Sequence, residues 1–253
     1  MLMNKRLIVF CAFIVCLWLV LAGCATRQSS HPDKDAERAH ALVDHASATL
    51  ADCLAGDNGD DLRRLLPRAK GVLIVPNMGT AGFLFSLDTG NGVLLVRSGN
   101  SWNGPVFLTE TTGGFGLQAG FSSTEGIFLY TDEDDVRYLL ETGGIFQGRA
   151  SVTVLNASLK GKSTPKFNGN GNVFFIGDTS GLYVGAGVHG GGLISREQLN
   201  LAYYGFGTGA PEPILFKGTP APEDGMALRQ ALSDARKLGE AAQKKDGAEA
   251  PSE

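Results

Sequence analysis

The sequence predicts an α+β fold, built on a mainly antiparallel, strongly curved, glycine-rich sheet or partly closed barrel with flanking helices. Apolar residues recur at helical spacing over residues 35–54, which is typical of an amphipathic helix. From Lys70 the chain breaks into short runs rich in Val, Leu, Ile and Phe, which is typical of strands. Glycine recurs on one side of the alternation in residues 114–120 and 181–187, and such strands permit close approach or strong bending. The alternative is two small β units divided near Glu141.

The first residues are typical of an exported protein. Lys5 and Arg6 precede an uncharged apolar run over residues 7–20, and Leu-Ala-Gly-Cys24 follows directly. A charged start, a short apolar core and a small-residue end predict a secretory signal. The run is shorter than the roughly 20 residues of a transmembrane helix. We therefore expect residues 1–23 to be a signal peptide.

The Leu-Ala-Gly-Cys24 motif resembles the lipobox of bacterial lipoproteins. In that family the signal is cut before the Cys, and the Cys carries the acyl chains. The resemblance implies lipidation of Cys24 and a protein held in the cell envelope by a membrane anchor. Ala25, rather than Asp, after the Cys implies the periplasmic side of the outer membrane, by analogy with enterobacterial lipoproteins. The alternative is an ordinary signal peptide with a Cys beside it.

Composition excludes some classes of partner. The formal net charge of the 253-residue chain is −4, and loss of the two positive charges of the signal makes it −6. This charge argues against nucleic acid as a partner and against attraction to anionic surfaces by bulk charge. Cys11 and Cys16 leave with the signal and Cys24 takes the lipid, so Cys53 remains and no intramolecular disulfide is available.

The first half of the mature chain is predicted to run from a tether through a helix into strands. Residues 24–34 read as a polar, lipidated tether, and the domain spans residues 35–238. The helix over 35–54 has an apolar stripe spaced 3, 4, 3, 4, 3, with Asp35 off it, formed by Ala36, Ala39, Val43, Ala46, Leu50 and Cys53. A short turn is predicted at 61–66 and a hairpin turn at 88–92. Strands are predicted at 70–76, 82–87, 92–97, 106–109, 114–121 and 126–131.

The second half is predicted to mix strands with two helices. Thr131 with Asp134 resembles a capping box and would open a helix over residues 132–141. A terminal helix is indicated by Leu228, Ala231, Ala235 and Leu238, and the polar residues 239–253 read as a disordered tail. Strands are predicted at 150–159, 173–177, 182–188, 199–204 and 213–217.

Sequence patterns of catalysis or metal binding are missing. The chain has no Gly-x-Ser-x-Gly, His-Glu-x-x-His or Cys-x-x-Cys motif. His40 and His45 are five apart, whereas ligands on one helical face are three or four apart. The acidic run 132–135 lacks the Gly and distant Glu of an EF-hand and suits the first turn of a helix. The glycines of 114–120 lie inside a strand, not in the turn of a phosphate-binding loop. We predict no catalytic residue, metal or cofactor, and no enzymatic activity.

A series of motifs in a fixed order carries a family resemblance. It comprises AKGVLIVP (69–76), GVLLVR (92–97), WNGPVF (102–107), GGFGLQAG (113–120), GLYVG (181–185), NLAYYG (200–205) and Ile214-Leu215. This series resembles the SYLF domain, also called the Ysc84 actin-binding domain, over roughly residues 36–238. The resemblance implies lipid binding: eukaryotic members bind phosphoinositides and actin, and bacterial members are commonly secreted or lipid-anchored. It implies no catalytic activity. Actin is absent where a bacterial lipoprotein resides and is not expected as a partner.

The sequence departs from the family pattern within residues 152–172. Lys160, Lys162 and Lys166 occur there, where the family usually has a Gly-Pro and more acidic residues. With Arg149 nearby they would form a basic loop on an acidic protein, and basic residues near an anionic surface favour binding. We expect these four residues to be candidates for a lipid headgroup site; the alternative is a solvated loop. The acidic first helix weakens any transfer of phosphoinositide binding.

These observations predict a non-enzymatic, lipid-anchored envelope protein that binds a lipid, phospholipid included, or another amphiphile. One alternative is a structural protein that binds another envelope protein through the sheet edge. The other is a hydrolase with an unrecognised site, for which His189 is the residue to test. The bound lipid and the oligomeric state remain open at this point.

Overall fold

The structure is a computed structural model that describes residues 32–143, 152–155 and 173–249. It confirms the α+β prediction, with helices at both ends and one in the middle. In chain order the elements are α1 Pro32–Ala55, α2 Gly59–Leu65, β1 Gly71–Ser98, β2 Ser101–Tyr130, α3 Glu133–Thr142, β3 Val152–Leu155, β4 Val173–Ser195, α4 Glu197–Tyr204, α5 Pro211–Phe216 and α6 Glu223–Glu249. Among these helices, none is both long and apolar enough to cross a membrane.

One sheet of order β1-β2-β4-β3 forms the centre of the fold. β2 pairs antiparallel with both β1 and β4, and β3 adds parallel to β4. The mainly antiparallel prediction is therefore confirmed. Within the described residues the order ends at β1 and β3, which do not pair with each other, so the sheet is open. The predicted strong curvature and partial barrel closure are not supported.

β1 and β2 are longer than the short strands predicted. They pair from Gly71 opposite Tyr130 to Ser98 opposite Ser101. The hairpin turn predicted at 88–92 is wrong, because these residues continue the ladder. The chain reverses instead after Ser98, where Gly99 has a φ of 60°, a left-handed conformation that glycine adopts without strain.

The two ends of β1 lie side by side. The Lys70 carbonyl accepts a hydrogen bond of 2.8 Å from the Arg97 backbone N–H. Gly92 lies so close to Leu73 that a Cβ at this position would be 2.7 Å from Leu73 Cδ1. The buried stretches at the two ends of β1, Val72–Val75 and Val93–Val96, therefore belong to one core. Every member of this described core lies between Ala39 and Ala235.

α1 confirms the predicted first helix. Ala39, Val43, Ala46 and Leu50 are fully or almost fully buried, as the stripe predicted. Asp35 is also buried, although the sequence pattern placed it on the polar side. Its carboxylate accepts a hydrogen bond from Arg38, and a buried carboxylate requires such a partner.

α4 and α5 correct two predicted strands, at 199–204 and 213–217. In α4 the buried residues are Leu199, Asn200, Tyr203 and Tyr204. Their spacing is that of one helical face, but the sequence was interpreted as a strand because its side chains favour strands. Gly205 has a φ of 71° and its N–H bonds to the Leu201 carbonyl, which ends the helix. In α5 a proline stands in the first turn, where its missing N–H costs nothing.

Three further boundaries differ from prediction. The turn at 61–66 is mostly the helix α2. Asp132, not Thr131, caps α3, because its carboxylate accepts from the Asp134 N–H at 3.0 Å. α6 continues to Glu249, so residues 239–249 are not a disordered tail; residues 250–253 lie outside the described part. Gly239 of α6 packs directly against the Arg63 carbonyl of α2. The described residues from Pro32 on form one compact unit, against a division near Glu141.

Candidate functional site: a basic cleft between α1 and α4

A cleft of about 360 Å³ opens where α1 and the start of α4 meet β1. Residues at positions i, i+3, i+4 and i+7 of α1 share one helical face, and this face forms one wall. The cleft is lined by Arg38, Ala41, Leu42 and His45 of α1, Asn91 of β1, and Arg196 and Leu199 at the start of α4.

Arg196 is fixed in the cleft by the sheet. Its backbone N–H donates to the Phe107 carbonyl of β2 at 2.9 Å. Its guanidinium Nη1 donates to Asn91 Oδ1 at 3.0 Å. The same Asn91 oxygen accepts from Thr109 Oγ1 at 3.1 Å, and Asn91 and Thr109 are partners across the β1–β2 ladder. The Arg196 guanidinium is thus preorganised.

Arg38 lies on the other side of the cleft and is more exposed. Its Nη1 is 3.2 Å from Asp35 Oδ1, and its side chain is 60% exposed while that of Asp35 is 7% exposed. Burial lowers the pKa of Arg196; Asp35 opposes this shift, and repulsion from Arg38 adds to it. The guanidinium groups are positively charged, and the carboxylate of Asp35 attracts both of them.

The remaining wall of the cleft is apolar. Leu199 is 2% exposed, Leu42 packs against the core, and Ala41 also lines the cleft. A cationic rim beside an apolar wall is the combination that binds an anionic group attached to an apolar body. The cleft is therefore suited to an anionic amphiphile.

A cluster of polar groups ties α1, α4 and α6 together. His40 Nδ1 lies 2.7 Å from Asp224 Oδ2, and the Tyr203 hydroxyl donates to Asp224 Oδ1 at 2.8 Å. The Gly225 N–H also donates to Oδ1, at 2.9 Å. All three donors converge on one carboxylate, whereas a nucleophilic triad passes from acid to imidazole to hydroxyl. The geometry therefore supports a structural role.

Tyr203 should make the stability of the domain depend on pH in the alkaline range. Burial, followed by Asp224, raises the pKa of Tyr203 above its ordinary value of 10.0. The unfolded chain therefore loses this proton first, and the stabilisation is complete below pH 10 and declines above it, by up to about 1.4 kcal/mol per pH unit. Measured by urea unfolding, the free energy of unfolding of Tyr203→Phe should fall less between about pH 9 and about pH 11 than that of the parent protein. Equal losses in both proteins would contradict this assignment.

The site residues predicted from the sequence mostly lie elsewhere. Cys24 and the proposed headgroup residues Arg149, Lys160, Lys162 and Lys166 are outside the described residues and stay predictions. His189 is on β4, opposite Gly114 of β2. No group of His, Cys, Asp or Glu within the described ranges has a metal-binding arrangement.

The acidic run at the start of α3 has structural roles, as expected. Asp132 caps the helix, Glu133 pairs with Arg137 at 2.7 Å, and Asp135 is buried. The cleft residues Arg38 and Arg196 were not singled out from the sequence. The only available signal was that Arg38 lies off the apolar stripe of α1, and nothing local connects it with Arg196.

Comparison with known proteins shows similarity to a family of binding proteins. Residues 111–235 match the family model described as Ysc84, Las17-binding protein actin regulator. This range includes Arg196 and Leu199 of the cleft and leaves out α1. The chain is 32% identical over 145 residues to LAS seventeen-binding protein 3 and to Protein YSC84 of Saccharomyces cerevisiae, covering 56% of this chain and 31% of each relative.

A vertebrate protein is also similar. SH3 domain-containing YSC84-like protein 1 of Xenopus laevis is 25% identical over 188 residues, covering 71% of this chain and 55% of that protein. The chain therefore spans about a third to about half the length of these relatives. No solved structure matches it.

Proposed function

We propose that this chain is a lipid-anchored member of the Ysc84 family whose domain binds an amphiphile in the cell envelope and catalyses no reaction. The printed names of its relatives describe binding and regulation, which supports a binding domain. The export signal and the Leu-Ala-Gly-Cys24 motif support the anchor. The periplasmic side of the outer membrane is the proposed location.

The observation that carries the amphiphile proposal is the mixed lining of the cleft. Arg38 and Arg196 supply positive charge, and Ala41, Leu42 and Leu199 supply an apolar wall, within about 360 Å³. This volume falls within the roughly 300–1,000 Å³ typical of small-molecule sites. On a protein of net negative charge, two arginines in one concave site favour an anionic headgroup.

Native mass spectrometry tests the proposal on the anchor-free chain, which we define as residues 24–253 with Cys24→Ser. This chain keeps the whole described core, which lies between Ala39 and Ala235. We expect a co-purified phospholipid or other amphiphile. Ala41→Asp, which puts a carboxylate in the cleft, should abolish the adduct, and Ala48→Asp, at an exposed position of the same helix, should keep it. A chain that stays ligand-free after incubation with phospholipid would contradict the proposal.

A protein partner is the second candidate, and the names of the relatives favour it, since the yeast proteins are described as Las17-binding. β3 is the edge next to β4 in the described sheet, and an exposed edge can accept another strand. A ligand-free mass together with specific capture of one envelope protein would favour this candidate over amphiphile binding.

Cys24→Ser tests the proposed anchor. The thiol of Cys24 would carry the acyl chains, and each buried CH₂ contributes about 0.8 kcal/mol to membrane binding. The full-length variant should accumulate as an uncleaved precursor or be released in soluble form. Fractionation followed by a carbonate wash measures this, with Cys53→Ser as the control that should stay with the membrane. A Cys24→Ser protein that is cleaved and still resists the wash would exclude the lipobox assignment.

A further inference from the structure

The two arginines of the cleft are held with unequal strength. Arg196 is bonded to Asn91, which Thr109 holds in turn. Arg38 is bonded to Asp35 at 3.2 Å with most of its own side chain in solvent. This pair uses one of the two terminal nitrogens of Arg38, and a guanidinium carries five N–H donors. Arg38 can therefore bind an anion with its remaining donors while it keeps Asp35, and Arg196 is already held in place by Asn91.

The charges around the cleft are not balanced. Arg38 and Arg196 are the charged residues among those that line the cleft, and none of these lining residues is acidic. Arg38 is one of the causes that lower the pKa of Arg196, so the two guanidiniums are near enough to repel each other. An anion that carries more than one negative charge would neutralise both.

The shape of the guanidinium group selects among anions. Each guanidinium presents a planar fork that pairs with two oxygens at once. A carboxylate has two oxygens and is satisfied by one fork, whereas a phosphate monoester has three free oxygens and nearly two charges at neutral pH. The cleft is also larger than a phosphate group, which leaves room beside Ala41, Leu42 and Leu199.

We propose that the cleft holds a single phosphate group between Arg38 and Arg196, with the organic part of the ligand against the apolar wall. Arg38 keeps its bond to the buried Asp35 and binds the phosphate with its other N–H donors. The organic part of this ligand rests on the proposed function, but the phosphate site does not. A lipid headgroup that is a phosphate monoester, as in phosphatidic acid, and free phosphate share this chemistry, and the experiment distinguishes them.

Two titrations of the anchor-free chain test the site. Inorganic phosphate is titrated by calorimetry, and binding to phosphatidylcholine vesicles that contain phosphatidic acid is measured by flotation. Vesicles with the same mole fraction of oleate supply a carboxylate in place of the phosphate. The variants are Arg38→Gln, Arg196→Gln and the double variant, with Arg64→Gln, at an exposed position of α2, as the matched control. Circular dichroism verifies that each variant is folded.

We expect each arginine variant to weaken phosphate binding about tenfold and the double variant more, because charge-assisted hydrogen bonds are lost. Asp35→Asn removes a negative charge that acts on both arginines and should strengthen phosphate binding about threefold. If the arginine variants lose both vesicle binding and phosphate binding, the ligand is a lipid headgroup. Loss of phosphate binding alone identifies a soluble phosphate.

Three results would overturn the site. One is unchanged phosphate and vesicle binding in a folded double variant, and another is equal binding to oleate vesicles. The third is vesicle binding that depends on Lys160, Lys162 and Lys166 in a triple Lys→Glu variant and not on either arginine. A co-purified amphiphile that persists in the double variant would leave the proposed function standing while removing this site from it. Phosphate binding without any bound amphiphile would leave this site standing and contradict the proposed amphiphile binding.

Discussion

Replacing Asn200 with Ala should lower the free energy of unfolding by about 3 kcal/mol, because Asn200 is a buried link from α4 to β2 and to the loop between α4 and α5. Its side chain is 0% exposed. Its Oδ1 accepts from the Phe107 N–H of β2 at 2.8 Å, and its Nδ2 donates to the Gly209 carbonyl at 2.8 Å. Alanine leaves a buried donor and a buried acceptor without partners, and each costs about 1–3 kcal/mol.

Urea unfolding measures this loss, and two further variants sharpen it. Asn200→Asp keeps the acceptor for Phe107 but turns an oxygen towards the Gly209 carbonyl, so it should destabilise at least as much as alanine. Asn100→Ala changes an exposed side chain in the β1–β2 turn and should stay within about 0.5 kcal/mol of the parent. A loss below about 1 kcal/mol for Asn200→Ala would show that the backbone groups find other partners.

Gly177→Ala is expected to destabilise the sheet by a similar amount, about 3 kcal/mol, through overpacking. Gly177 of β4 is the direct partner of Gly126 of β2. A Cβ on Gly177 would press on the Glu125 carbonyl and lie 2.7 Å from Phe175 Cζ and 2.8 Å from Gly126 Cα. Two of these three obstacles are backbone atoms, so β2 and β4 must move apart to admit the methyl group.

Gly79→Ala is the matched control for this prediction. Gly79 is also a strand residue, on β1, and a Cβ there would have no neighbour within 4 Å. Alanine at this position should be neutral or stabilise by up to about 1 kcal/mol, because it restricts the unfolded chain. Thermal and urea unfolding of the two variants should therefore differ by several kcal/mol. Equal stabilities would mean that the sheet tolerates a methyl group at the Gly126–Gly177 pair.

The sequence predicted an element correctly where burial against the core alone determined its pattern of apolar residues. The stripe of α1 was visible because one face alone, including Val43 and Leu50, contacts the core. α4 was misassigned because Tyr203 and Tyr204 favour strands locally, while packing on β2 and the cap at Gly205 impose a helix. The turn at 88–92 was misassigned because Gly92 serves a close approach to Leu73 rather than a reversal of the chain.

The candidate site could not be predicted, because it depends on distant parts of the chain. Arg38 lies in α1 and Arg196 immediately precedes α4, and each alone resembles an ordinary surface arginine. Asn91, which fixes Arg196, lay in the segment predicted as a turn. Only the packing of α1 beside α4 over β1 brings the charges together.

The junction of the first and last helices has a consequence for the order of events during biogenesis. His40 of α1 meets Asp224 of α6, and α6 supplies Leu228 and Leu232 to the core. The nascent chain thus lacks a layer of its core until its carboxyl end has been synthesised. A precursor in this state has only part of its folding free energy, because stability is a small difference between large terms. For the export proposed above, such a precursor would meet the requirement of a secretion channel for an incompletely folded chain, and α6 would complete the domain only after its own passage.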